Sequence, residues 1–237
     1  VTPARRRRRW LDQRHDQGRT RPRPLTVRTV NAMSVSAGRG RAEEIWANAL
    51  TTPGRYGVPA LVLGSEMWKV DAQAVADRVA PGVWQVVQRG KHGSPNAALV
   101  IAVRRTRGLL THAKMLDGTA ATSEGGGIRR RPILTARVFI DRTTPAAWSF
   151  VAAAVHAPPS RAPRARRRYL AALRTVRAAL IAGDMNALQR AVQRALGRRV
   201  EGVRVLHFAI RRWIPTSPVT AVEVGGDHKG VDTVLWP

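Results

Sequence analysis

From Leu25 to Leu235 short apolar runs alternate with stretches of helical periodicity, and that alternation is what most narrows the fold. Leu25-Thr26-Val27-Arg28-Thr29-Val30-Asn31 sets Leu25, Val27 and Thr29 on one side, the pattern of a strand that ends in a polar residue. A helix is expected over 39–50, where Ala42, Ile45, Trp46 and Leu50 recur at helical spacing, then a buried strand from Val58 to Leu63 that stops at Ser65-Glu66. Helical signals over Asp71–Val79 precede strand-like runs at 83–88, 97–104, 132–140 and 148–155, the last ending at His156. Tyr169, Leu173, Val176 and Leu180 put one apolar stripe on a helix otherwise faced with arginine. Leu180-Ile181-Ala182 is a short buried strand, and a helix over 188–196 with strands at 203–210, 220–224 and 231–235 completes the series. Such alternation predicts an α/β fold with mixed sheets. The stretch 106–131, with its triple glycine at 125–127, has no clear period and reads as loop.

Charge narrows the partners. The chain has 41 Lys+Arg against 15 Asp+Glu, a formal net charge of +26. Only four of the basic residues are lysine, a bias a GC-rich genome would impose, but that bias does not explain so few acids. An excess of this size repels itself and attracts polyanions, nucleic acid first among them; a basic surface with no specific ligand is the plainer reading. Residues 1–24, with arginine from Arg5 to Arg9, read as a basic arm, either a solvated tail or a phosphate-binding one. The absence of cysteine excludes disulfide scaffolds, thiolate zinc sites and cysteine nucleophiles. No apolar run reaches the roughly 18 residues of a membrane span, and the opening arginines lack the apolar stretch of a signal peptide, so a cytoplasmic, monomeric protein that avoids membranes is expected.

Four strand-like runs end on a residue that binds metal or handles protons: Asn31, Glu66, His156 and Asp184. Asp227-His228 lies in the turn before the final strand. In α/β folds chemistry collects at strand ends, where side chains project from a rigid base. Each acid also has an ordinary structural role open to it: Glu66 and Asp184 as helix caps, Asp227 as a turn former beside Gly225-Gly226.

The order of these motifs resembles the endonuclease/exonuclease/phosphatase superfamily. Leu180-Ile181-Ala182-Gly183-Asp184-Met185-Asn186 looks like that family's strand followed by Gly-Asp-x-Asn. Gly226-Asp227-His228 with Val231-Asp232-Thr233-Val234-Leu235 is similar to its terminal Ser-Asp-His and closing strand, with Gly226 in place of the serine. Upstream, Val151–His156, Val58–Glu66 and Leu25–Asn31 resemble the strands that carry its first histidine, its metal-binding glutamate and its asparagine. All five occur in family order over 25–237, and the resemblance implies one domain there, folded as a two-sheet β-sandwich flanked by helices, the four-layer deoxyribonuclease I-like architecture.

It further implies a metal-dependent phosphodiesterase that hydrolyses the nucleic-acid backbone as an endonuclease or exonuclease, with DNA favoured over RNA. Mg²⁺ or Mn²⁺ would be held by Glu66, Asn31 and Asp227, and His156, Asp184, Asn186, Asp227 and His228 would be catalytic. Arg161, Arg164, Arg166, Arg167 and Arg168 form the densest internal basic patch and suit backbone phosphates; Trp213, beside two arginines, reads first as a core residue and otherwise as a platform on which a base stacks. The alternatives are a phosphatase of the same fold acting on small esters, and a nucleic-acid-binding protein with an impaired site. His207 motivates the second, because the family places there an Asp that orients the last histidine, and a histidine supplies no fixed negative charge.

Overall fold

The structure is a computed structural model that describes residues 23–32, 34–67, 70–90, 98–116, 118, 131–141, 147–159, 162–204, 206–211, 214–225 and 230–236. Most of the basic arm and the triple glycine lie outside these residues.

Two six-stranded sheets face each other. In the first, β1 (Leu25–Asn31), β2 (Leu61–Ser65), β3 (Trp84–Arg89), β4 (Leu99–Arg104), β11 (Thr220–Val222) and β12 (Gly230–Leu235) run in the order β11-β12-β1-β2-β4-β3. In the second, β5 (Gly108–Leu116), β6 (Ile133–Ile140), β7 (Trp148–His156), β8 (Leu180–Asp184), β9 (Arg199–Val203) and β10 (Leu206–Ile210) run in the order β5-β6-β7-β8-β10-β9. Each sheet has a parallel pair at its centre, β1 with β2 and β7 with β8, and antiparallel neighbours elsewhere. Parallel neighbours require a crossover, and the crossovers here carry helices α1 (Ser34–Thr51) and α3 (Pro163–Thr175).

Alternation along the strands divides the apolar residues between two directions. Leu25, Val27, Leu61 and Leu63 meet Ala152, Ala154, Leu180, Ala182 and Phe208 in the core between the sheets. Val30, Val62 and Val100 point the other way, onto Ile45, Trp46 and Leu50 of α1 and Val75 of α2 (Ala72–Val79). On the second sheet, Val155, Ile181 and Ala209 face outward onto Tyr169 and Leu173 of α3 and Val192 and Leu196 of α4 (Gln189–Leu196). The result is four layers, helix, sheet, sheet, helix, as the resemblance implies.

Helix ends follow local chemistry. Asp71 caps α2 by accepting from the Ala74 N–H at 3.1 Å, Pro163 opens α3, and Gly197 closes α4 in the left-handed conformation. The expected helical stripe through Val176 and Leu180 is cut short. Thr175 is the last helical residue, the Val176 N–H turns back to the Leu173 carbonyl, and Leu180 opens β8. The single strand expected over 203–210 is two, because the chain reverses at Arg204 (φ 53). The stretch read as loop contains β5.

One buried ion pair ties the first sheet to its helix. Arg28 of β1 and Asp232 of β12 meet through two hydrogen bonds, Nε to Oδ1 at 2.6 Å and Nη2 to Oδ2 at 2.7 Å, with both side chains fully buried. Arg28 Nη1 donates to the carbonyls of Ala49 and Thr52 at the end of α1, each at 2.9 Å.

Candidate functional site

The C-terminal ends of the two parallel pairs meet at one edge of the sandwich. Asn31 ends β1, Glu66 follows β2, His156 ends β7 and Asp184 ends β8. Asn31 and Asp184 come from different sheets, and Asn31 Nδ2 donates to Asp184 Oδ2 across the gap at 3.0 Å. Glu66 Oε1 and His156 Nε2, also from different sheets, lie 3.3 Å apart. His156 and Asp184 are register partners on adjacent strands, which sets their backbones about 4.8 Å apart. Four residues distant in sequence therefore share one small volume, in which His156 and Asp184 are buried and Glu66 keeps 16 % of its side chain exposed.

The Gly183-Asp184-Met185-Asn186 segment has a physical reason for each of its polar or small residues. At Gly183 (φ 147) a Cβ would run into the Val155 carbonyl of the neighbouring strand, so only glycine allows β7 and β8 to stay paired there. Asp184 Oδ1 accepts from the Asn186 N–H at 2.8 Å, an Asx turn that breaks the strand. Asn186 is left-handed (φ 46), a conformation asparagine tolerates, and its Nδ2 donates to the Ala157 carbonyl at 2.8 Å. The Ala157 N–H in turn donates to the Asp184 carbonyl at 2.7 Å, so the ends of β7 and β8 are laced together. Glu66 is also left-handed (φ 56), a costly conformation for its type, between the buried Ser65 and Met67. Such strain clusters at functional positions.

In sequence the chain matches no protein-family model and no curated protein. In structure it is similar to an endonuclease/exonuclease/phosphatase family protein from Bacteroides thetaiotaomicron, at 13% identity and TM-score 0.68, covering 92% of this chain and 100% of that one. It is also similar to D. rerio TDP2 complexed with a single-strand DNA product (13% identity, TM-score 0.62, 90% of this chain and 99% of that one). A mannosyl-6-phosphatase of B. thetaiotaomicron VPI-5482 matches as well (13% identity, TM-score 0.64, 89% and 99%). This is the endonuclease/exonuclease/phosphatase fold.

On an endonuclease/exonuclease/phosphatase fold the remaining expected residues divide three ways. Asp227, His228, Arg161 and Trp213 lie outside the described residues. Arg164, Arg167 and Arg168 are exposed on α3, whereas Arg166 is half-buried and donates through Nη1 to the Asn186 carbonyl at 2.7 Å, bracing the turn beside Asp184. His207 is 1 % exposed on β10, with Nε2 2.7 Å from the Ala187 carbonyl. A carbonyl only accepts, so that contact fixes the proton on Nε2. Nδ1 lies over Gly202, where a Cβ would collide with it, and has no hydrogen-bond partner among the described residues. Burial pushes the His207 pKa below its ordinary value, against the opposing pull of the Ala187 carbonyl and the Asp184 charge. The residue therefore stands neutral at physiological pH, offering a lone pair at the position where the sequence resemblance leads one to expect a carboxylate.

Two hydroxyls beneath the cleft were not singled out by sequence. Thr29 and Ser65 are fully buried, and neither oxygen has a hydrogen-bond partner among the described residues. Thr29 is a polar residue in the inward register of β1, two before Asn31, and that was the available signal. Tyr169 of α3 also closes on the site from outside: its hydroxyl donates to the Pro132 carbonyl at 3.1 Å and lies against the His156 backbone. Burial raises its pKa well above the ordinary phenol value.

Proposed function

We propose that the chain is a phosphoesterase that hydrolyses the nucleic-acid backbone with the help of a divalent cation. The observation that carries this reading is the Asn31–Asp184 hydrogen bond across the two sheets, beside the Glu66–His156 contact. Phosphodiester hydrolysis needs a water aimed at phosphorus, neutralisation of the developing charge on the phosphoryl oxygens, and a proton for the leaving oxygen.

The donor set suits a hard cation. Asn31, whose amide N–H donates to Asp184, carries a hard carbonyl oxygen in the same side chain, and Glu66 adds a partly exposed carboxylate. Among the described residues no group of three or more His, Asp or Glu side chains could enclose an ion. The ion proposed is Mg²⁺ or Mn²⁺, since Mg²⁺ keeps several waters and takes only one or two protein carboxylates. Glu66 and Asn31 would hold it, with Asp227 as the further carboxylate. When bound, the cation would offset negative charge on the phosphoryl oxygens.

Asp184 is the base in this reading. Both of its oxygens accept from fixed donors, which sets the orientation of the carboxylate that would take the proton of an attacking water. Asn186 holds the turn that aims Asp184. His156, oriented by Glu66, donates a hydrogen bond to a phosphoryl oxygen, and His228 would protonate or steady the leaving oxygen. The net charge of +26 favours a polyanion over a small ester. His207 favours a second reading, in which the fold binds nucleic acid and turns it over poorly, because a neutral imidazole replaces a charged orienting group.

Plasmid nicking with Mg²⁺, with and without EDTA, tests both readings in the wild type, Asp184→Ala and Glu66→Ala. Each substitution is expected to lower the rate by about 10²- to 10⁴-fold, and EDTA to abolish it. DNA binding with no cleavage above that of the variants would favour the impaired reading. Release of phosphate from small esters with little salt dependence would favour a phosphatase.

A further inference from the structure

On the far side of the second sheet, away from the cleft, the structure holds a basic trough that none of the chemistry above uses. Along β6, Leu134, Ala136, Val138 and Ile140 point into the core between the sheets, so Thr135, Arg137 and Phe139 stand on the outer face. Helices α3 and α4 cover that face only toward the cleft end, over Ile133, Ala153, Val155 and Ile181. At the other end His112, Lys114, Arg137, Phe139 and Val151 line a cavity of about 370 Å³.

A β-bulge in β5 builds this cavity. Thr111 pairs with Arg137 and Lys114 with Thr135, so His112 and Ala113 together oppose Ala136. Leu110 points into the core, and strict alternation would send Lys114 there too. The extra residue changes the parity: Ala113 packs against the core and Lys114 emerges on the outer face. The cost is a left-handed histidine, His112 (φ 50), whose Nδ1 contacts Thr111 Oγ1 at 2.9 Å. Without the bulge a lysine would be buried and the trough would lose a cation.

The trough continues across β7. A second cavity of about 260 Å³ shares Val151 with the first and ends at Arg177 and Arg211. Neither is lined by an acidic side chain among the described residues. Four permanent cations and a half-buried aromatic ring thus line one path across the sheet. Cations in a row with an aromatic platform between them suit one strand of nucleic acid, phosphates on the cations and a base on the ring, better than a duplex, which has no open base to stack. Val151 is five residues along β7 from His156, about 17 Å at strand rise, and it faces the opposite side of the sheet.

We propose that this trough is a second binding site, one that takes single-stranded nucleic acid and holds it outside the cleft. The choice of ligand rests on the nucleic-acid reading of the cleft; the site itself does not. The probe is a fluorescein-labelled oligothymidylate of about 16 nucleotides, titrated by anisotropy over a range of salt against the wild type, K114Q/R137Q, Phe139→Leu and Asp184→Ala, with thermal melts to match the folded fraction. K114Q/R137Q should make the slope of log K against log salt shallower by about 1.4, two charges at roughly 0.7 each. Phe139→Leu should weaken binding about 5- to 100-fold with the slope kept. Both should hydrolyse a small chromogenic phosphodiester at the wild-type rate, and Asp184→Ala should bind as the wild type does. Unchanged slope and affinity in both trough variants would overturn the proposal even if the cleft is active. So would tighter binding to anionic phosphatidylglycerol vesicles through the same residues. An inactive wild type whose binding still depends on the trough would sink the catalytic reading and leave this one standing.

Discussion

Truncating Asp232 to alanine isolates the buried Arg28 charge and should bring the fold close to failure. In the wild type the guanidinium makes two bonds to Asp232 and two to the carbonyls that end α1, all within 2.9 Å and without solvent. The variant keeps the two carbonyls and loses the charge that compensates the guanidinium, a situation that costs about 3–5 kcal/mol. Against a typical stability of about 5–15 kcal/mol that is a large fraction. Arg28→Met strands the carboxylate instead and should cost a similar amount. The double variant R28M/D232L removes both charges; only the Ala49 and Thr52 carbonyls lose a donor, so it should cost about 1–3 kcal/mol. The pair should therefore be strongly non-additive, by about 3 kcal/mol or more. Urea unfolding followed by the fluorescence of the buried Trp46 and Trp84 reads this directly, and at about 2 kcal/mol per molar each single variant moves the midpoint by roughly 2 M. Single losses below about 1 kcal/mol, or losses that simply add, would refute the reasoning.

Gly183→Ala should be unfavourable in two ways, through its backbone conformation and through the Val155 carbonyl; a loss of about 3 kcal/mol corresponds to a melting point lower by roughly 6–12 °C, and a drop under about 2 °C would show that β7 and β8 can part there. His207 is harder to protonate in the folded chain than in the unfolded one. Its neutral form therefore contributes stability that is present above about pH 6.5 and is lost as pH falls from there toward the lower folded value. Wild-type stability should fall from pH 8 to 5 relative to His207→Gln, and parallel curves would exclude this. Asn31→Ala removes the amide that bonds Asp184 Oδ2; on the proposed phosphoesterase reading kcat should fall by about 10²-fold with KM little moved, and a change below about threefold would remove Asn31 from the positioning of Asp184.

The strand ends that meet at the sandwich edge were legible in sequence because strands that bury one face announce both their alternation and their ends. Leu25-x-Val27-x-Thr29 predicts that Asn31 shares the inward face, and Gly183 before Asp184 marks a close backbone approach. What brings Asn31 to Asp184 and Glu66 to His156 is the stacking of two sheets, which no local pattern carries. β5 stayed hidden for a physical reason: it is an edge strand, largely exposed past Leu110, and its bulge resets the alternation at His112 and Ala113. The reversal at Arg204 was hidden because the turn takes a left-handed arginine where glycine or asparagine would have signalled it. Arg28 looked like an ordinary outward residue of β1, and its partner lies 204 positions away.

That separation has a consequence for how the protein is made. β1 needs β12 on one side, through the pairs from Leu25 with Leu235 to Thr29 with Val231. At translation rates of about 5–20 residues per second, the 204 positions from Arg28 to Asp232 take roughly 10–40 s to synthesise. Until then β1 presents an open hydrogen-bonding edge on its β12 side and an arginine without its Asp232 partner. An unpaired strand edge is a template for another chain, so the edge of β1 that awaits β12 is where a chaperone, or a second nascent chain, would pair.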